Sequence, residues 1–511
     1  MTNIKNDPSD ATYDLIVIGG GINGVGIARE AVGRGLSVML LEQDDLANGT
    51  SSRSGKLVHG GLRYLEYYEF RLVREALIER EVLLRAAPHI IWPVRFVLPH
   101  SPHDRPSWLI RLGLFLYDHL GGRKILPPSR RLNLRKTEAG LAIKPDYRQA
   151  FEYSDCWVDD ARLVVLNALD AAERGAQILP RHKFISARRE EGVWQVKIAT
   201  PEGTRINATS QGLVNAAGPW VQKTLAAAGE HSARKIRLVK GSHIITPKFW
   251  AGDQCYLLQN TDRRVIFVNA YEDNLALIGT TDIPFGDEAH PKSPEQVAID
   301  SDEIDYLLAV VNRYFIPQLT RTDVLGHFSG VRPLYDDTAE NPSAVTRDYV
   351  FDVEDIDGKL PILSIFGGKI TTYRKLSEHA LAKLAAYFPQ MGGEWTADAP
   401  LPGGDIEAHD FAAFLTGFSA RHSWVPSPLA RHLARLYGTR AGLILGNAKD
   451  VKDLGQHFGQ NFYEAEARYL ITHEWAMTPE DILIRRTKYG LHLTPEQQAA
   501  FSDWFVGVKG L

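Results

Sequence analysis

The sequence predicts an α/β chain: a Rossmann-like nucleotide-binding domain interleaved with an antiparallel (α+β) cap sheet, followed by a helical C-terminal domain. Three observations predict it. A strand, a glycine turn, a helix and a second strand open the chain; a second strand-glycine-helix element stands near residue 367; and the helix-rich texture begins only after a Pro-Gly cluster near residue 400.

The opening element is DLIVIGGGINGVG at 14–26, an apolar strand running into glycines and then into a helix expected over 25–34. Gly19 permits the tight turn, Gly21 lets the backbone approach a pyrophosphate, and Gly24 lets the helix pack close to the strand. The helix offers its positive N-terminal end to the anion. A second strand over 36–41 ends in Glu42, eighteen residues after Gly24. A carboxylate there suits a ribose hydroxyl pair and disfavours a 2′-phosphate.

The far element identifies the dinucleotide. A strand over 361–366, the turn Gly367-Gly368 and a helix running from Lys369 to Ala385 repeat the same logic. A lysine at a helix N-terminus suits the pyrimidine edge of a flavin, where negative charge accumulates on reduction. FAD is long enough to need both elements, so the expected cofactor is FAD.

The intervening chain must therefore leave the nucleotide domain and return. The expected division is a FAD-binding region at about 1–95, 150–235 and 330–390, with a substrate cap at about 96–149 and 236–329. The segment over 193–198 reads as a strand followed by a turn, and those over 236–239, 244–245, 265–268 and 275–279, rich in branched and aromatic residues, read as further strands that suit an antiparallel cap sheet over the flavin. A C-terminal domain over 391–511 reads as helices, among them 429–436 and a last one capped at Thr478, with Pro479 at its first position.

Composition agrees with a large globular enzyme: 511 residues, 44% apolar and 23% charged, enough for two or three domains. A net charge of −4 argues against nucleic acid as a partner. Two cysteines, Cys156 and Cys255, form neither a disulfide framework nor a zinc-ligand spacing, which points to a reducing cytoplasmic compartment and no metal. The first twelve residues are polar and unlike a secretory signal. No run approaches the roughly 20 apolar residues that span a bilayer. The stretch 106–117 (PSWLIRLGLFLY) is an apolar helix flanked by Arg105 and by Arg123-Lys124, for which a buried core helix is the preferred reading and a lipid-facing helix the alternative.

Several segments between the glycine elements carry a family resemblance: TSSRSGKLVHGGLRYL at 50–65, VNAAGPW at 214–220, KGSH at 240–243, GTTD at 279–282, SGVRPL at 329–334 and FGGKITTYRK at 366–375. Together they resemble the FAD-dependent sn-glycerol-3-phosphate dehydrogenases of aerobic bacteria, within the glycine and D-amino-acid oxidase type of flavoprotein. The resemblance implies hydride transfer from C2 of sn-glycerol 3-phosphate to FAD N5, giving dihydroxyacetone phosphate, with electrons passed to a membrane quinone. It also implies peripheral attachment to the cytoplasmic face of the inner membrane, and it leaves room for a homodimer.

Such chemistry needs cations for a phosphate dianion and a base for a hydroxyl proton. Arg63, Arg332, Arg347 and Lys369, with Tyr64, are the candidate phosphate ligands, and all but Arg347 sit in the matched motifs. Histidine suits proton removal near neutrality. His243 is the preferred base, His59 a flavin contact, and Arg332 also a stabiliser of the developing alkoxide. Expected cofactor contacts come first from Gly19, Gly21, Gly24 and Glu42, then from Ser51, Ser52, Lys56, His59 and Gly60. Gly218, Trp220, Gly368, Lys369, Ile370 and Thr371 complete the set. Three rivals remain: a glycerol-3-phosphate oxidase reducing O2, an amino-acid oxidase needing one arginine rather than a basic cluster, and a non-catalytic flavin-bound assembly module.

Overall fold

Leu15, Ile16 and Val17 are completely buried in the strand Thr12–Ile18, which leads directly into helix Ile22–Gly33. A strand covered on both faces requires such an unbroken apolar run. The computed structural model describes residues 12–101, 105–262, 264–286, 292–335 and 348–509.

Thr12–Ile18 pairs in parallel with Val38–Leu41 on one side and Arg205–Asn215 on the other. Lys359–Phe366 extends the parallel sheet beyond Arg205–Asn215, and antiparallel Val350–Ile356 closes that edge. Gln177–Leu179 closes the opposite edge. Because Thr12–Ile18 and Lys359–Phe366 run the same way, both glycine turns emerge at the same carboxyl edge of one sheet, where ligands bind in open α/β folds. Helix Ile22–Gly33 packs between helices Asp160–Glu173 and Tyr373–Leu384. The first helix starts at Ile22, three residues before the expected Val25, because the turn glycines feed it without an intervening loop.

A second sheet forms the cap. Its order is Ile283–Pro284, Ile236–Pro247, Leu275–Gly279, Val265–Tyr271, Cys255–Gln259, Ile91–His100, Gln149–Val158 and Leu57–Val58. Gly326–Tyr335 pairs along Ile236–Pro247, and Arg130–Asn133 along Gln149–Val158. Two expectations change here. The sheet is mixed rather than wholly antiparallel, since Cys255–Gln259 and Ile91–His100 run parallel. Residues 91–95, 150–158 and 330–335, assigned from sequence to the nucleotide region, are strands of the cap sheet. An unbroken ladder from Ile91↔Val158 to His100↔Gln149 decides the matter, and such long-range pairing has no local signature.

The C-terminal segment has its own core, with Phe418, Leu429, Leu433, Tyr437, Phe458, Phe462 and Phe501 buried together. Helix Ser427–Tyr437 buries Leu429, Ala430, Leu433, Ala434 and Tyr437, the stripe expected of an amphipathic surface helix. The expected last helix after Thr478 is instead a single π-helical stretch, Asp481–Arg486, and the last helix is Pro495–Lys509. The capping chemistry at Thr478 is present, since its Oγ1 accepts the Asp481 N–H at 3.3 Å, but ion pairs engage the stretch that follows.

Candidate active site

A cavity of about 700 Å3 opens where the two glycine turns meet the cap sheet. On the nucleotide side, Gly19 adopts φ +115°, and a Cβ placed on Gly24 would stand 1.9 Å from the Gly19 carbonyl oxygen. Turn and helix therefore touch backbone to backbone. Helix Ile22–Gly33 has no side-chain N-cap and no acid in its first turn, which leaves its positive end for an anion. Ser51 Oγ accepts the Ile22 N–H at 2.9 Å and anchors the neighbouring loop to that helix start. Glu42 accepts the N–H groups of Gly20 at 2.7 Å and Asp44 at 2.8 Å. Burial pushes its carboxyl up to about 7 against the opposing pull of those two bonds.

The second turn is joined to the first. Asn23 Nδ2 donates to the Gly367 carbonyl at 3.3 Å, and Gly367 and Gly368 both hold positive φ. Lys369 follows, its Nζ lying 4.0 Å from the centre of the Tyr64 ring. The His59 N–H donates to Thr371 Oγ1 at 3.2 Å, which ties the HGGLRYL segment to the same turn.

The cap supplies the remaining wall. His243 sits on Ile236–Pro247 with Gly279 opposite on one neighbouring strand and Phe328 opposite on the other. Its ring stacks on Phe328 at 4.9 Å, and a Cβ on Gly279 would approach the imidazole to 2.2 Å. Glycine at 279 thus creates the slot that the histidine fills. Burial, then the charges of Arg332 and Lys56, lower its imidazole to about 3, so it is neutral at ordinary pH. Nδ1 is buried with no hydrogen-bond partner among the described residues. Arg332 donates to Asp282 and, at 3.3 Å, to Thr280 Oγ1. Gly241 makes room for this guanidinium, since a Cβ there would meet it at 2.4 Å.

Of the residues singled out from sequence, Gly19, Gly21, Glu42, Ser51, His59, Arg63, Tyr64, Gly218, Trp220, His243, Arg332, Gly368, Lys369, Ile370 and Thr371 line this one cavity. Gly24, Ser52, Lys56 and Gly60 do not. Gly24 is spent on packing, Ser52 gives its carbonyl to Lys56, and the Gly60 N–H donates to the Tyr117 hydroxyl at 2.8 Å. Lys56 is buried in an ion pair with Asp160 at 2.8 Å, which removes it from contact with a ligand. Arg347 lies outside the described residues. Among the lining residues that the sequence reading did not assign to the site are Arg53, Asn23 and Asp282. Each stands inside a motif already noticed, Asn23 as a variable position of the glycine turn, where charge and polarity alone could have marked it.

The site fits FAD. An uncapped helix end for the pyrophosphate, a half-buried acid at the close of the second strand and a lysine-bearing second turn share one cavity. Fold and site together define a flavin-dependent oxidoreductase. Residues 14–374 match the family described as FAD dependent oxidoreductase, and residues 395–502 match the C-terminal domain of alpha-glycerophosphate oxidase. The chain belongs to the FAD-dependent oxidoreductase family, and FAD is its cofactor. It is 60% identical to D-erythritol 1-phosphate dehydrogenase of Brucella abortus, over 97% of this chain and 98% of that one. It is 53% identical to the aerobic glycerol-3-phosphate dehydrogenase of Escherichia coli, over 97% of each. The glycerol-3-phosphate dehydrogenase of Bacillus halodurans, solved with FAD, superposes with a TM-score of 0.75 at 26% identity, over 98% of this chain and 95% of that one.

Proposed function

We propose that the protein oxidises sn-glycerol 3-phosphate to dihydroxyacetone phosphate and passes the electrons to a membrane quinone. The observation that carries this reading is a neutral buried histidine and an arginine on neighbouring cap strands, both facing the cavity that also holds Lys369. FAD, when bound, supplies the two-electron acceptor. Arg332, Arg63 and Lys369 hold the phosphate by charge-assisted hydrogen bonds, and Tyr64 supports Lys369 from beneath. His243 takes the hydroxyl proton. Its low basicity in the ligand-free protein comes partly from Arg332, so a dianion beside that guanidinium raises the basicity when substrate is present. Several lining cations favour a phosphate over an amino acid, whose carboxylate needs one arginine.

A second reading is favoured by the Brucella relative, whose name gives D-erythritol 1-phosphate as its substrate. The shared phosphate end meets the same cations, and the difference is one further hydroxylated carbon.

Attachment to a membrane surface is supported by helix Ser107–Leu120. The preference for a core helix does not survive: Trp108 is 65% and Phe115 57% exposed, with Leu109 and Leu112 also outward and only Leu114 and Tyr117 buried. The helix packs against Leu62–Tyr67, the turn bearing Arg63 and Tyr64, and Tyr68 and Phe70, which follow that turn, are exposed as well. An apolar face of this kind suits a lipid interface and brings a lipid-soluble acceptor near the site. Among the described residues no helix is long and apolar enough to cross a membrane.

The test is anaerobic mixing of the yellow protein with sn-glycerol 3-phosphate, D-erythritol 1-phosphate, glycerol and glycine, followed by oxygen or a soluble quinone analogue. Bleaching by the phosphorylated polyols alone, with faster recovery on quinone, is expected. Bleaching by glycine, or by none, defeats the reading.

A further inference from the structure

The C-terminal domain reaches the cofactor cavity without lining it. Its π-helical stretch Asp481–Arg486 lies against the loop after the second strand, where Glu42, Gln43, Asp44, Asn48 and Gly49 line the cavity. Asp45, in the middle of that loop, points the other way and is 1% exposed. Both its oxygens are taken: Arg485 Nε donates to Oδ2 at 2.5 Å, and Arg486 donates to Oδ2 and Oδ1 at 2.7 Å each. Arg485 also donates to Asn48 Oδ1 at 3.2 Å, two residues before the cavity-lining Thr50.

A second set of bonds meets the loop from its other side. The Arg181 N–H donates to the Asp44 carbonyl at 2.8 Å, and the Arg181 guanidinium is bound by Asp481, which also pairs with Arg485 at 2.6 Å. The nucleotide core holds the same loop through the Glu42 carboxylate on the Gly20 N–H at 2.7 Å, the Ala47 N–H on the Gly20 carbonyl at 3.1 Å and the buried Leu46. Two charges from the C-terminal domain therefore grip a short loop whose opposite face presents Glu42 to the cavity.

We propose that Arg485 and Arg486 are positioning residues that latch the 42–49 loop over bound FAD, so that the C-terminal domain acts in cofactor retention. A latch of this kind works by pre-organisation: when the loop samples open forms, apparent affinity falls in proportion to the closed fraction. The proposal rests on FAD as cofactor and not on the identity of the substrate, so it stands or falls separately from the oxidation of glycerol 3-phosphate.

The test measures FAD release from full-length holoenzyme by the rise in flavin fluorescence on dilution, beside thermal melting of the FAD-free protein. Arg485→Gln leaves Arg486 on Asp45 and Arg181 on Asp481, so neither buried carboxylate loses every partner. It should release FAD about tenfold faster than the unsubstituted protein when both are held well below the FAD-free melting transition of the variant. Arg485→Lys should recover part of the retention. Glu173→Gln breaks the pair between Glu173 and Arg440 (2.7 Å) on the same domain contact, away from the loop, and should release FAD at the original rate. Unchanged release in Arg485→Gln overturns the latch. Equal loosening by Glu173→Gln also overturns it, because general undocking would then account for the effect.

Discussion

Asn23 donates its side-chain amide to the carbonyl of Gly367 across 344 positions of sequence, at 3.3 Å. This bond joins the two glycine turns, both of which line the cavity that fits FAD. The turns form a continuous floor because a variable position of the first reaches the backbone of the second. Asn23→Ala should cost about 1 kcal/mol of that alignment. Equilibrium titration of FAD-free protein should then show about fivefold weaker FAD binding. Unaltered binding would mean that packing of the three helices alone sets the floor.

Gly24→Ala should be far more damaging. The added methyl meets the Gly19 carbonyl oxygen at 1.9 Å, and both partners are backbone, so neither can swing aside. Strain of about 3 kcal/mol or more is expected, with colourless protein and a lowered melting temperature. Yellow protein melting at the normal temperature would show that the turn relaxes freely.

Arg332→Ala removes a cation from the cavity and leaves Asp282 without that partner. A loss of about 2–4 kcal/mol of transition-state stabilisation corresponds to roughly 30- to 1,000-fold in kcat/KM for the phosphorylated substrate. Stopped-flow reduction under anaerobic conditions should slow, and Arg332→Lys should fall between, because lysine lacks the forked geometry. Reduction at the original rate would remove Arg332 from the site.

His243 carries a pH signature in stability. Its native imidazole is lowered to about 3, chiefly by burial, whereas the unfolded residue takes its proton at 6.5. Between those values the unfolded state binds more protons, so stability is full above 6.5 and drains as pH falls toward the native value. The contribution lost between about pH 7 and about pH 4.5 is about 3 kcal/mol. Urea unfolding of His243→Asn should show a pH dependence smaller by that amount, while His89, also buried and lowered to about 3, keeps its own share in both proteins. An identical dependence in the two proteins would show that the native imidazole titrates normally. The same variant should slow substrate oxidation by about 10²- to 10⁴-fold.

Trp108→Ser with Phe115→Ser should detach the protein from anionic vesicles in a flotation assay while leaving oxidation with a soluble quinone analogue intact. Each exposed side chain contributes about 1.5–3 kcal/mol when transferred from water to an apolar phase. Persistent flotation would place the docking surface elsewhere.

The cofactor elements were legible because their signals are local. An apolar strand, turn glycines and a terminal acid lie within 29 residues, and φ preferences and strand burial act at that range. The cap division was not, since Gln149–Val158 takes its place only through a ten-residue ladder with Ile91–His100. Lys56 shows the same limit. Its motif context pointed to the flavin, yet Asp160, more than a hundred residues away, meets it in a buried pair. Helix Ser107–Leu120 has one composition for two fates, core or lipid-facing, and its neighbours decide between them.

What the sequence alone determined is the two-part glycine scaffold, the choice of FAD and the residues from which a phosphate-binding, proton-accepting site could be drawn. Only the tertiary structure decided which of those residues share a cavity, that His243 is neutral, and that the C-terminal domain grips the nucleotide loop through Asp45. The division follows from range. Backbone preference and periodicity are encoded within a few neighbours, whereas desolvation and ion pairing depend on which distant side chains the completed fold brings within a few ångströms.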